Sequence, residues 1–245
     1  MTTTAAPPPI TPRQPGDPVV DLLHLRVIHV VMLRDLRRLT ALADDVAAGA
    51  TRLDARRARA LQRWVTKSMA SIHHHHAAED EVLWPVIEGS AGSAVDLAEL
   101  SDDHSVLDPR MDRIRAAAAA LAAAPASEDA ATALAVSLAD LRDLMEEHIA
   151  DEERTVFPVM EEHVSTTDWD RVKVEVGKRD SDLPFVLPRI ADAATPEQLA
   201  ALLREAGPVF RVLLAVLRPG FRRFERTVFG TTTTPPTTPP TGGAR

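Results

Sequence analysis

An internal repeat constrains the fold of this chain more than any other feature of its sequence. Residues 75–88 read HHAAEDEVLWPVIE and residues 148–161 read HIADEERTVFPVME, so an H-x-x-x-E pair recurs 73 positions later. One further histidine precedes each pair, and these two, His29 and His104, lie 75 positions apart. The repeat predicts two similar helix pairs in a pseudo-two-fold bundle, which would bring both half-sites together at its centre.

The rest of the chain has the periodicity of an all-α protein. Apolar residues recur at three- and four-residue spacing, and the alternation typical of β-strands is lacking. Four long helices are predicted, at about 19–48, 55–88, 95–123 and 127–163. Joined by short loops, they predict an up-down-up-down four-helix bundle. Shorter helices are expected to begin at Thr167 and at Thr195, and the second, behind a capping box, to continue to Phe229.

Composition divides the chain into four segments. Both ends consist almost wholly of Thr, Pro, Gly and Ala, and we expect them to be disordered because they cannot bury enough apolar surface to offset chain entropy. The segment after the fourth helix contains no histidine and predicts no chemistry of its own. The expected segments are an N-terminal tail at 1–16, the four-helix bundle at 17–164, a C-terminal helical extension at 165–229 and a C-terminal tail at 230–245.

Composition also excludes several classes of site and partner. The chain has no cysteine and no tyrosine, which excludes thiolate metal ligands, disulfides, cysteine nucleophiles and a tyrosyl ligand or radical. Its formal net charge is −8 and it lacks a basic patch interleaved with aromatic residues, so nucleic acid is not an expected partner. Neither a secretory signal nor a run of about 18 apolar residues is found, which predicts a soluble, cytoplasmic protein without a membrane partner. The oligomeric state stays open.

Helical phase indicates which polar side chains face the bundle interior. At 100° per residue, His73 and His74 lie about 120° and 140° from Glu79 and are expected to face outward. Six side chains share their faces with apolar residues and are predicted to face inward, namely His29, His75, Glu79, His104, His148 and Glu152. Two buried carboxylates would cost many kcal/mol unless they were paired or bound to metal. Six nitrogen and oxygen donors therefore predict a dinuclear site, which suits iron, manganese or zinc better than copper(I).

Three other residues near these six have alternative interpretations. Asp108 lies four residues after His104 on the same face, and is either a further ligand, a hydrogen-bond acceptor for a ligand, or a capping residue before Pro109. His76 lies at the margin of the inward face and is interpreted as a residue behind the ligands rather than as a ligand. Glu153 points outward on a regular helix, and only a local bulge would bring it to the site.

This arrangement of residues resembles the hemerythrin-like, or HHE cation-binding, domain. The resemblance covers about residues 20–164 and includes the flanking segments HHHHAAEDEVLWP, DDHSVLDPRM and EEHIADEERTVFP. It implies a non-heme diiron centre with an oxo or hydroxo bridge, in preference to manganese or zinc. The four histidines of the pattern would be terminal ligands, and Glu79 and Glu152 would bridge the two irons. The C-terminal extension also resembles one found in actinobacterial members.

Three functions remain open at this point. The chain departs from the oxygen-carrying hemerythrins at Asp108, where they have a histidine, and a site with fewer histidines favours sensing, iron handling or redox chemistry over reversible O₂ carriage. The first function is therefore a diiron protein that binds or senses O₂, iron or NO. The second is a diiron oxidoreductase that acts on hydrogen peroxide, O₂ or nitric oxide, for which the sequence assigns no catalytic residue. The third is a metal-free helical interaction module.

Overall fold

The computed structural model of this protein describes residues 9–179 and 182–230, and within these ranges its regular elements are helices. The bundle consists of α1 (Leu23–Ala47), a second helix in two parts, α2 (Ala55–Ala78) and α3 (Trp84–Ala91), then α4 (Ala98–Ala123) and α5 (Glu128–His163). Helix α1 packs mainly against α5, and α2 against α4, a pairing that is compatible with the two-fold relation of the internal repeat. The predicted all-α bundle is therefore confirmed.

Two apolar clusters fill the bundle, and the repeated histidines and glutamates lie between them. Along α1, Leu25 belongs to one cluster and Met32 to the other, with His29 between them. Along α5, Met145 and Val156 flank the second H-x-x-x-E pair in the same way. Because apolar side chains close both ends, the polar layer in the middle is shielded from water along the bundle axis.

The C-terminal extension contains more helices than its periodicity predicts. It consists of α6 (Thr166–Gly177), α7 (Leu183–Ala193), α8 (Pro196–Ala206) and α9 (Pro208–Phe229). The capping box of Thr195 and Gln198 is present at the start of α8, as predicted. The continuous helix expected to reach Phe229 is wrong, because Gly207 adopts a φ of +84° and Pro208, which has no amide hydrogen, begins a new helix. Helix α7 was not predicted.

Helices α7 and α9 of the extension pack against the apolar cluster that contains Trp64. Trp64 of α2 is fully buried there, in contact with four phenylalanine rings of α7 and α9, namely Phe185, Phe221, Phe224 and Phe229. A buried ion pair adds to this contact, since Nε of Arg189 on α7 lies 2.8 Å from Oδ2 of Asp35 on α1. Both side chains are only 2 % exposed. The extension therefore shares the core of the bundle.

Loss of this buried ion pair is expected to destabilise the protein strongly. Arg189→Ala leaves Asp35 charged and buried without its partner, which costs about 3–5 kcal/mol of unfolding free energy. Arg218, which is 44 % exposed where it pairs with Asp192, is the matched control, and Arg218→Ala is expected to cost less than about 1 kcal/mol. Chemical denaturation measures both values. Equal effects of the two substitutions would contradict a buried anchor at Arg189.

Part of the predicted N-terminal tail is bound to the bundle. The backbone N–H of Thr11 donates to the Asp168 carboxylate over 2.7 Å, and that of Arg13 donates to the carbonyl of His163 over 2.8 Å. The rest of that tail, 1–8, and the C-terminal tail from residue 231 onward lie outside the described residues. None of the helices in the described ranges has the length and hydrophobicity that crossing a bilayer requires.

Candidate metal centre

The second bundle helix changes geometry at the centre of the candidate site. Helix α2 ends at Ala78, and a π-helical turn covers Glu79–Leu83 before α3 continues the helix. A π turn contains an additional residue, so every later side chain is rotated relative to a regular helix. As a result Trp84 and Ile87 are buried, whereas Val86, which regular helical phase places inward, is only partly buried.

All six side chains predicted to face inward converge in the middle of the bundle, together with His76. Their donor atoms form two groups, and within each group the atoms lie within 4.8 Å of one another. The first group consists of His29, His75, Glu79 and Glu152, and the second of His76, Glu79, His104 and His148. Each group contains three or more nitrogen and oxygen donors, which is enough for one metal ion.

Glu79 is the side chain that the two groups share. Its Oε1 lies 2.9 Å from Nε2 of His75 in the first group, and its Oε2 lies 3.6 Å from Nε2 of His104 in the second. The carboxylate thus presents one oxygen to each group. Glu152 differs from Glu79, because its carboxylate belongs to the first group alone, where Oε2 lies 3.3 Å from Nε2 of His29.

Many of these donor atoms are buried without a hydrogen-bond partner. They are Nε2 of His29, Nε2 of His75, both ring nitrogens of His76, and both carboxylate oxygens of Glu79 and Glu152. An unsatisfied buried polar atom costs about 1–3 kcal/mol, so a cluster of them in an apolar core is expensive. Bound cations would satisfy these atoms together, and the donor set therefore fits metal ions.

Carboxylates contact three of the histidines at the ring nitrogen that faces away from the centre. Nδ1 of His29 lies 2.8 Å from Glu153, Nδ1 of His104 lies 2.9 Å from Asp80, and Nδ1 of His148 lies 3.3 Å from Asp103. In each case the opposite nitrogen, Nε2, faces the centre. Such a contact fixes the ring orientation and makes the inward nitrogen a stronger ligand, as is usual for metal-binding histidines.

A comparison with protein families identifies the bundle. The family model of the hemerythrin HHE cation-binding domain matches residues 21–163. The chain belongs to this family. No curated protein and no solved structure matches it. The hemerythrin HHE domain binds metal cations, and the buried histidines and glutamates of both groups are compatible with that property.

The three ambiguous residues occupy different places in this HHE domain. His76, interpreted from the sequence as a residue behind the ligands, instead belongs to the second donor group and is 4 % exposed. Asp108 belongs to neither group, since its side chain is 59 % exposed and pairs with His73 at the surface. Glu153 lies behind His29 and needs no bulge to reach it, because α5 is α-helical from Glu128 to His163.

Sequence analysis missed Asp80, Asp103 and Trp84 of the HHE domain. Asp80 and Asp103 each directly adjoin a predicted ligand in the sequence. The repeat offset of 73 pairs Asp80 with Glu153, which lies behind His29 as Asp80 lies behind His104, and this correspondence could have identified Asp80. Asp103 has no such counterpart, because Ile28 precedes His29. The Trp84 ring stacks on His104, with centroids 6.1 Å apart and an interplanar angle of 15°. The π turn brings this ring inward, so regular helical phase could not have identified it.

Burial in the HHE domain favours the uncharged forms of the candidate ligands. It raises the pKa of Glu79 to about 8 and that of Glu152 well above its ordinary value. It also lowers the pKa of His75 and of His148 to about 4, and that of His76 well below its ordinary value. At neutral pH these histidines are uncharged, which is the form that binds metal, while Glu79 retains its proton in the absence of a cation.

A cavity of about 300 Å³ adjoins the second donor group of the HHE domain, between α2 and α4. His76 and His104 lie among its lining residues, and so do exposed residues such as Glu81 and Asp108. The cavity therefore runs from the protein surface to the edge of the second group.

Proposed function

We propose that this protein is a non-heme diiron protein whose two irons are held in the two donor groups. One iron would be bound by His29, His75 and Glu152. The other would be bound by His76, His104 and His148. Glu79 would bridge the two. The single observation that carries this proposal is the Glu79 carboxylate, which offers one unpartnered oxygen to each group of buried donors.

The chemistry of the donors supports iron as the metal. Imidazole nitrogens and carboxylate oxygens without thiolates suit iron, manganese and zinc, and histidine–carboxylate sets are typical of non-heme iron. Bound iron would supply redox chemistry and coordination positions for a small molecule. The chain itself holds the ligands in place through Glu153, Asp80 and Asp103, and covers the first group with Phe157, which stacks on His29.

The function that we propose for this centre is the binding or sensing of O₂, NO or iron. The cavity beside His76 and His104 supports it, because a small molecule can reach the second group through it. The unpartnered donor atoms argue against the alternative of a metal-free interaction module, since such a module would have no compensation for them.

A diiron oxidoreductase acting on hydrogen peroxide, O₂ or NO is the second candidate, and the same cavity favours it. A catalyst requires a path for repeated entry and exit of substrate, which a closed bundle would not provide. Titration of the iron-loaded, reduced protein with NO and with hydrogen peroxide distinguishes the two. A binding or sensing protein reacts once per centre, whereas an oxidoreductase consumes many equivalents. Absence of any spectral response to O₂, NO or peroxide would contradict both.

Metal loading is expected to release protons. At pH 7 the apo-protein holds a proton on Glu79, whose pKa is about 8, so that binding of cations to this carboxylate displaces about one proton per chain. At pH 9 Glu79 has already lost its proton, and fewer are released. A pH indicator in weakly buffered solution measures the release, with Glu79→Gln as the control. Equal release at pH 7 and pH 9 would contradict a protonated Glu79 in the apo site.

A further inference from the structure

The cavity between α2 and α4 is lined by several acidic residues. Three of its lining residues are the carboxylates Asp80, Glu81 and Asp108, and none of its lining residues in the described part of the chain is lysine or arginine. Asp108 is exposed at the surface, where Oδ1 lies 2.9 Å from Nδ1 of His73. Oε2 of Glu81 lies 2.8 Å from Nη2 of Arg179, which offsets its charge, whereas Asp80 and Asp108 contact the histidines His104 and His73. The two aspartates therefore give this concave surface a negative charge, which concentrates cations.

The inner end of this cavity is formed by an unpartnered ligand. His76 lines the cavity and is 4 % exposed, and neither of its ring nitrogens has a hydrogen-bond partner. The same side chain belongs to the second donor group, together with His104. A cation that enters between the carboxylates at the surface therefore meets a free imidazole before it reaches Glu79.

The opposite side of the centre is covered. Between α1 and α5, Phe157 stacks on His29 with ring centroids 5.7 Å apart, and the Arg26 guanidinium lies 4.7 Å above the Phe157 ring. Arg26 also pairs with Glu153, the carboxylate behind His29, over 3.3 Å. The Phe157 ring and the Arg26 side chain thus cover the first group from that side.

We infer that the α2–α4 cavity is the route by which divalent metal cations enter the centre, with His73 and Asp108 as the residues that capture them at its mouth. The inference rests on the proposed function, since it requires a metal centre at the inner end. His73 and Asp108 act on the rate of loading and are not ligands of the final site. Ions reach the second donor group first, because this group adjoins the cavity.

Stopped-flow mixing of the metal-free protein with Co²⁺, and anaerobically with Fe²⁺, tests this route. Asp108→Asn is compared with Asp112→Asn, an exposed carboxylate one turn further along α4 that does not line the cavity. His73→Ala is compared with His74→Ala. Ser105→Trp, which fills the cavity, is compared with Val106→Trp at the neighbouring exposed position. Elemental analysis measures the final metal content of every variant.

We expect Asp108→Asn and His73→Ala to slow loading about three- to tenfold at low ionic strength, with a smaller difference in high salt. Ser105→Trp is expected to slow it at both salt concentrations, and the final metal content is expected to stay that of the parent. Loading rates equal to those of the matched controls, with full metal content, would overturn the route and leave the metal centre intact. Failure of the parent protein itself to take up metal would overturn the proposed function and the route with it.

Discussion

Replacement of Glu79 by alanine is expected to remove both metal ions from the protein. Each oxygen of this carboxylate faces one donor group, so its loss leaves both groups a ligand short and removes the charge that lies between two cations. We expect the metal content to fall at least about tenfold, because even the loss of a residue behind a metal ligand often weakens binding by that factor.

Glu88→Ala is the matched control, since Glu88 lies on the same bundle helix but is exposed. It is expected to retain the metal content of the parent. Elemental analysis of both variants, after identical loading and gel filtration, gives the result. Full metal content in Glu79→Ala would contradict the assignment of Glu79 as the bridge.

The Glu152→Ala variant distinguishes a centre in which Glu79 alone bridges the two metal ions from one in which Glu79 and Glu152 both bridge them. Because Glu152 belongs to the first group alone, its loss is expected to weaken the binding of the metal ion in that group more than the binding of the other. The variant should retain the ion held by His76, His104 and His148 at concentrations at which the first group is empty. Loss of both ions together would indicate that Glu152 bridges as well.

Removal of the metal is expected to cause the second large effect, a lower thermal stability. Cations that bind only the folded state stabilise it by about 4 kcal/mol per site at a thousandfold excess over Kd. In a domain of this size that energy corresponds to a Tm difference of about 10 °C or more. The metal-free protein also retains the unpartnered atoms of His76, Glu79 and Glu152 in its core.

Differential scanning calorimetry of the chelator-treated and the reloaded protein tests this expectation. Reloading must restore the original Tm, which distinguishes metal loss from damage during chelation. The Glu79→Ala variant provides the control, because its Tm should not respond to added metal. An unchanged Tm on removal of bound metal from the parent would contradict stabilisation of the fold by the centre.

Helical periodicity and the repeat were enough to predict the bundle and the convergence of the six inward side chains. Residues such as His29, His148 and Glu152 lie on regular α-helices with one apolar face, where phase depends only on the number of residues between them. Two halves with the same pattern then left one arrangement in which both patterns meet. Local geometry and symmetry therefore carried this part of the prediction.

The π turn at Glu79–Leu83 explains most of what the sequence did not reveal about the site. Nothing in the residue pattern marks the extra residue, so Trp84 was not among the side chains predicted to face inward. His76 was ambiguous because it lies at the margin of an inward face, and Asp108 because a capping role before Pro109 was also open. Packing between α2 and α4 decides the exposure of both. His76 is buried in that interface, whereas Asp108 remains at its surface.

The extension was hard to predict for a different reason. Its helices are short, and their boundaries depend on single residues such as Gly207, whose positive φ ends α8. The partners of Arg189 and Phe221 lie on α1 and α2, far away in the sequence. Periodicity within one segment contains no information on such long-range contacts.

The most direct test of the account is the iron content per chain, measured together with the ultraviolet–visible spectrum of the same aerobic sample. The protein is loaded anaerobically with Fe²⁺, freed of excess metal by gel filtration and then exposed to air. Two buried donor groups that share Glu79 predict about two irons per chain and a near-ultraviolet ligand-to-metal absorption band that Glu79→Ala lacks. A protein that binds no iron after careful reconstitution, or the same iron content in Glu79→Ala as in the parent, would contradict the account.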